Sequence, residues 1–127
     1  MKLNTFWHGG FPADKANHMV GGTIAADVGS IVGILVGAFL AHNRMPLWLM
    51  PLLGAVGAAV AAFAAGRWKE ARDASQNAAA RRDWLDGDQS TPYVAPHGVE
   101  TADWQATAWG CVPVALPLVA LALISMI

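Results

Sequence analysis

Residues 19–41 read MVGGTIAADVGSIVGILVGAFLA, an apolar run carrying a single charge, Asp27. As one helix this run would be about 35 Å long at ~1.5 Å per residue, enough to cross the ~30 Å hydrocarbon core of a bilayer. Residues 45–66 and 108–127 form two further runs of similar length with no Asp, Glu, Lys or Arg. Only 13% of the 127 residues are charged and 55% are hydrophobic, whereas an average soluble domain is ~25% charged. Three buried soluble helices of this apolarity would leave a chain this short too little polar surface to face water. The sequence therefore predicts an all-α integral membrane protein. It has one domain, residues 1–127, with three transmembrane helices over about 19–41, 45–66 and 108–127 and a polar loop over about 67–103.

The boundaries of these runs carry recognisable signals. Residues 1–13 form an N-terminal arm, and Asp14 is placed to cap the first helix at the positive end of its dipole. The link at 42–46, with Pro46, is a tight hairpin, followed by Trp48 as an interfacial anchor; Trp68, Trp104 and Trp109 suit the opposite interface. Beyond Gly66 the pattern stays helix-forming to Arg82 or Leu85, so the second helix is expected to extend past the membrane before Asp86-Gly87-Asp88 ends it. Residues 89–100 read as a loop with Pro92, Pro96 and His97-Gly98, and Thr101 as the cap of the third crossing, bent at Pro113 and Pro117. The first apolar run starts behind a polar segment and is too long for the core of a cleavable signal. The single cysteine, Cys111, lies inside the third run, where it acts as filler.

Small residues recur at every fourth position of the first run: Gly21, Ala25, Gly29, Gly33 and Gly37. Such a series lets another helix approach closely where lipid gives no hydrophobic drive and packing must hold helices together. It is a contact face for the second crossing, which has its own small series at Gly54, Ala58 and Ala62, or for a homo-oligomer. Asp27 lies about half a helical turn from His18 and suits a helix–helix or oligomer contact.

Lysine and arginine are distributed unevenly. Two precede the first apolar run (Lys2, Lys15), five lie in the long loop (Arg67, Lys69, Arg72, Arg81, Arg82), and one in the hairpin (Arg44). The positive-inside rule places the N-terminus and the long loop in the cytoplasm, with the second helix extending there, and Ile127 outside a bacterial inner membrane. Nine acidic against eight basic residues give a formal net charge of −1, which gives nucleic-acid binding no support. The bilayer is the expected partner.

Threading three crossings brings the start of the first, the end of the second and the start of the third to one face. Asp14 and His18 are four apart, Glu70 and Asp73 three apart, and Asp103 and Thr107 four apart, so each pair shares a helix face. Caps, snorkelling lysines and solvated ion pairs account for any one of these residues. Together, ionisable groups near bilayer depth are costly and tend to face an interior or a cavity. Asp14, His18, Glu70, Asp73 and Asp103 are the candidate site. Histidine among carboxylates suits general acid–base work. A divalent metal is the alternative ligand, although no tight spacing such as H-E-x-x-H is present, and no cofactor is indicated.

These residues also carry a resemblance. Asp14-Lys15-Ala16-Asn17-His18, then Lys69-Glu70-Ala71-Arg72-Asp73, then Asp103-Trp104-Gln105-Ala106-Thr107-Ala108-Trp109-Gly110 resemble, in order and spacing, motifs of the VanZ-like and YfiM-like small bacterial and phage membrane proteins. The similarity spans roughly residues 14 to 110, and His97-Gly98 stands where that family has further polar residues. It implies a multi-pass protein of the cell envelope, in a family whose best-known branch is linked to glycopeptide tolerance. YfiM-like members look like envelope lipoproteins, whereas this chain shows no lipobox. Two functions follow as expectations. One is an envelope-associated membrane protein whose cytoplasmic-face pocket binds or processes a lipid headgroup. The other is a non-enzymatic phage protein, holin-like or a lysis accessory, that acts by oligomerisation. No nucleophile motif decides whether the protein is an enzyme.

Overall fold

The computed structural model describes residues 13–87, 89–98 and 101–127, without the side chains of residues 13, 14, 101 and 102. The N-terminal arm, the caps expected at Asp14 and Thr101, and Glu100 lie outside the described residues. Among the described residues four helices follow in order: α1 Ala13–His42, α2 Leu49–Asp86, α3 Thr101–Trp109 and α4 Val112–Ile124. Among the described residues there is no strand. Three helical spans are long and apolar enough to cross a membrane, with α3 and α4 acting together as the third.

α1 and α2 form an antiparallel hairpin. Met45 N–H donates to the Leu40 carbonyl at 3.2 Å and Arg44 N–H to that of Ala41 at 3.0 Å, the paired bonds of a Schellman ending. Arg44 sits at φ 68°, the left-handed position usually given to glycine, and the Asn43 side chain donates to the Phe39 carbonyl at 2.8 Å. Pro46 then blocks any continuation of α1.

The two long helices touch backbone to backbone. A Cβ added at Gly29 would collide with the Gly57 carbonyl and the Ala61 side chain, at Gly33 with the Leu53 carbonyl, and at Gly37 with the Met50 backbone. Gly57 meets Gly29 reciprocally. Gly21, by contrast, has nothing within 4 Å of such a Cβ. The small-residue series is therefore an intramolecular contact at Gly29, Gly33 and Gly37, and open at Gly21.

α2 turns a second face to α3 and α4. Ala58 and Ala62 are fully buried there with Ala26 of α1, packed by Cys111, Val114 and Ala115. Gly54 contacts Leu118 as well as Ile34. Among the described residues no large side chain is fully enclosed, and many large apolar residues point outward: Phe39 is 69% exposed, Leu35 63% and Val60 62%. A soluble protein of this size would not leave such a continuous apolar surface uncovered.

The third span is broken, not merely bent. After Trp109 the chain makes a turn in which Gly110 N–H donates to the Thr107 carbonyl and Cys111 N–H to that of Ala108, each at 3.1 Å. Pro113 lacks the N–H that would bond back to Trp109 and crowds that carbonyl, so the helix restarts with proline in its first turn. The Gly110 carbonyl freed by the turn lies 3.0 Å from the Thr23 hydroxyl of α1. A Cβ at Gly110 would strike Met19, Gly22 and Thr23, so the break sits where the third span meets the α1 backbone directly. Pro117, the other expected bend, lies inside α4.

Candidate functional site

At 38 residues, α2 is about 57 Å long, nearly twice the thickness of a bilayer core. Its apolar part ends at Gly66, and residues 67–86 carry the charges. Lys69, Glu70 and Asp73 lie on the first turns beyond the apolar part. The start of α1 supplies Lys15 and His18, and the first turn of α3 supplies Asp103, where an acid complements the helix dipole. Gly66 allows the approach: a Cβ there would lie 2.9 Å from the Trp104 carbonyl and 3.3 Å from the Thr107 side chain. Gly22 of α1 meets the Thr107 backbone in the same way.

Asp103 is the hub. Its Oδ1 is paired with Lys15 Nζ, and its Oδ2 lies 3.8 Å from His18 Nε2. All three side chains are largely enclosed. Thr107 donates its hydroxyl to the Asp103 carbonyl one turn back, at 3.0 Å. Along α2, Lys69 Nζ donates to Asp73 Oδ2 at 2.7 Å. That bond, with further help from the charges of Lys69, His97 and Arg72, holds the Asp73 carboxyl below its ordinary 3.8.

Glu70 is the unusual member. It is buried, and its Oε1 is fully enclosed with no hydrogen-bond partner among the described residues. Burial pushes its carboxyl above the ordinary 4.5, and the Asp103 charge pushes the same way; Lys69 and His18 oppose them. A buried acceptor left unpaired is costly, so the cluster is held together by its neighbours and not by Glu70.

Aromatic contacts brace the junction. Phe63 meets Trp104 edge-on at 5.5 Å, and the Arg67 guanidinium lies over the Trp104 ring at 5.8 Å. The loop at 89–98 folds back along α2: Asn77 donates to the His97 carbonyl at 2.8 Å and accepts from His97 N–H at 3.0 Å. Tyr93 donates to the Asn77 carbonyl at 2.9 Å and Trp84 to that of Thr91 at 2.8 Å. His97 is thus fixed beside the projecting part of α2, outside the buried cluster.

His18 of α1 and Asp103 of α3 come within 3.8 Å, and the charges of Asp103, Asp73 and His18 all act on Glu70, while Asp73 is paired along α2 with Lys69. The Asp14 side chain lies outside the described residues. Lys15 and Lys69, which snorkelling alone could explain in the sequence, both pair with carboxylates of the cluster. Lys69 stands four residues before Asp73 on a helix, a spacing that makes an ion pair the natural outcome; nothing local pointed to the Lys15–Asp103 pair, which spans 88 positions. Among the described residues no group of three or more His, Cys, Asp or Glu could hold a metal ion.

A cleft of about 440 Å³ opens beside the cluster, lined by Asn17, His18, Gly21, Ala65, Trp68, Lys69 and Thr107. Asn17, His18 and Lys69 lie towards the charged end, while Gly21, Ala65 and Thr107 lie about one turn further into the apolar spans. A search of protein-family models, curated proteins and solved structures returns no match.

Proposed function

We propose that this is a multi-pass membrane protein of the bacterial plasma membrane, with its N-terminus in the cytoplasm, that binds a lipid headgroup in this cleft. The observation that carries the reading is the graded lining. Asn17, His18 and Lys69 offer hydrogen bonds and positive charge at the level where the apolar spans end, and Gly21 and Ala65 continue inward as an apolar wall. An amphiphile lying upright in a membrane has the same sequence of chemistry. The Asp103 carboxyl lies 3.8 Å from His18 Nε2, so the pair would also supply acid–base chemistry to a bound ester. The envelope role implied by the VanZ-like resemblance agrees with such a ligand.

The test uses Gly21→Leu. Space for a side chain is open there, so leucine fills the cleft without disturbing the helix contacts. Purified in mild detergent, the wild type is expected to retain co-purifying lipid visible by native mass spectrometry. Gly21→Leu and His18→Ala should lose it while keeping wild-type helicity. Equal lipid retention in all three proteins would overturn the reading.

A second reading, a non-enzymatic membrane protein of the holin or lysis-accessory kind that acts by oligomerisation, is favoured by one observation: Asp27 is exposed half-way along α1.

A further inference from the structure

α1 is 30 residues long, and Asp27 lies at its midpoint, about 20 Å from either end at ~1.5 Å per residue. It faces outward among Val20, Ile24 and Ile31, each more than half exposed. The Asp27 carboxyl makes no hydrogen bond or ion pair among the described residues; only its backbone carbonyl is engaged, by the Ser30 hydroxyl at 2.8 Å. If α1 crosses a bilayer, this carboxyl sits at mid-depth against hydrocarbon, where ionisable groups are costly and seek partners.

We propose that α1 associates with α1 of a second copy of this chain through Asp27 and the apolar stripe that flanks it. Val20, Ile24, Asp27 and Ile31 follow one another at intervals of four, three and four, the spacing of a helix–helix seam with one polar position. Copies of one chain insert with the same orientation, so a symmetric parallel contact sets Asp27 opposite Asp27 at the same depth. The apolar runs contain no lysine or arginine, so a copy offers no cation. It does offer a second carboxyl, and a protonated carboxyl donates while its partner accepts, so the pair satisfies itself. A single buried polar pair of this kind also fixes register. The small-residue face is not free for this role, because Gly29, Gly33 and Gly37 are already engaged by α2. The inference is independent of the cleft and requires only that α1 spans the membrane.

Energy transfer between donor- and acceptor-labelled full-length chains in phosphatidylcholine vesicles tests it across a range of protein-to-lipid ratios. The wild type should associate, and Asp27→Leu should weaken association roughly tenfold, the scale of one interhelical hydrogen bond in a membrane. Asp27→Asn should associate like the wild type, since a pair of amides is also self-complementary. On oxidation in a Cys111→Ala background, Ile24→Cys and Ile31→Cys should form disulfide-linked dimers; Val32→Cys, at similar depth on the groove side of α1, should not. A wild type that stays unassociated, an Asp27→Leu variant that associates equally, or Val32→Cys linking as well as Ile31→Cys would each overturn the proposal.

Discussion

Two carboxyls of the cluster respond to pH in opposite directions, because one is short of partners and the other has a good one. Burial raises the Glu70 carboxyl, with the Asp103 charge adding to it and Lys69 and His18 opposing. Above its folded pKa, ionised Glu70 therefore disfavours the folded state; stability should rise as pH falls through that value towards the ordinary 4.5. Asp73 is lowered, mainly by the hydrogen bond from Lys69, so its contribution is present above 3.8 and is lost as pH falls through its depressed value. The two windows do not overlap. Thermal unfolding in detergent across this range should show the upper rise in the wild type and in Asp73→Asn but not in Glu70→Gln. A wild-type rise that persists in Glu70→Gln would assign it to another group.

At the level of elements, glycine placement decides which helix faces which. Gly29 and Gly33 bring the α1 backbone against the carbonyls of Gly57 and Leu53. A larger residue can fit only by separating the two helices, and both move as rigid rods. Gly29→Leu or Gly33→Leu should destabilise the protein by about 3 kcal/mol or more, beyond the usual cost of overpacking because backbone is what must yield. Val28→Leu, at the open rim of the α1–α2 groove and more than half exposed, should stay within about 0.5 kcal/mol. Unfolding midpoints in one detergent compare them directly, and equal tolerance at Gly29 and Val28 would make the small series incidental. The break between α3 and α4 belongs to this scale too. Pro113 signalled a disturbance in the sequence, but its form, a turn closed onto Thr23, depends on how tightly Gly110 meets α1.

For the whole molecule, the prediction is one of sidedness. α1, α2 and the α3–α4 pair are each apolar enough to cross a membrane, and among the described residues Lys15, Arg67, Lys69, Arg72, Arg81 and Arg82 fall at one end of that arrangement, against Arg44 at the other. Reporters fused at position 88 and after residue 127 are expected to fall in opposite compartments, the first with the cytoplasm. Both reporters on one side would rule out three crossings.

The sequence by itself determined the helical class, the three apolar spans, the hairpin at 42–46 and the long extension of α2. Each of these rests on composition and on residues within a few positions of one another, where helix propensity, proline and hydropathy act locally. It also limited the candidate site to one end, because antiparallel neighbours bring the start of the first span, the end of the second and the start of the third together. Only the tertiary structure decided the pairings. Lys15 reaches Asp103 across 88 positions, Glu70 Oε1 is enclosed without a hydrogen-bond partner among the described residues, and the small series of α1 packs on α2 at Gly29, Gly33 and Gly37 yet leaves Gly21 open as a cleft wall. These outcomes depend on the angle and depth at which three helices meet. Backbone contact at a few glycines sets that geometry, and no local pattern encodes it.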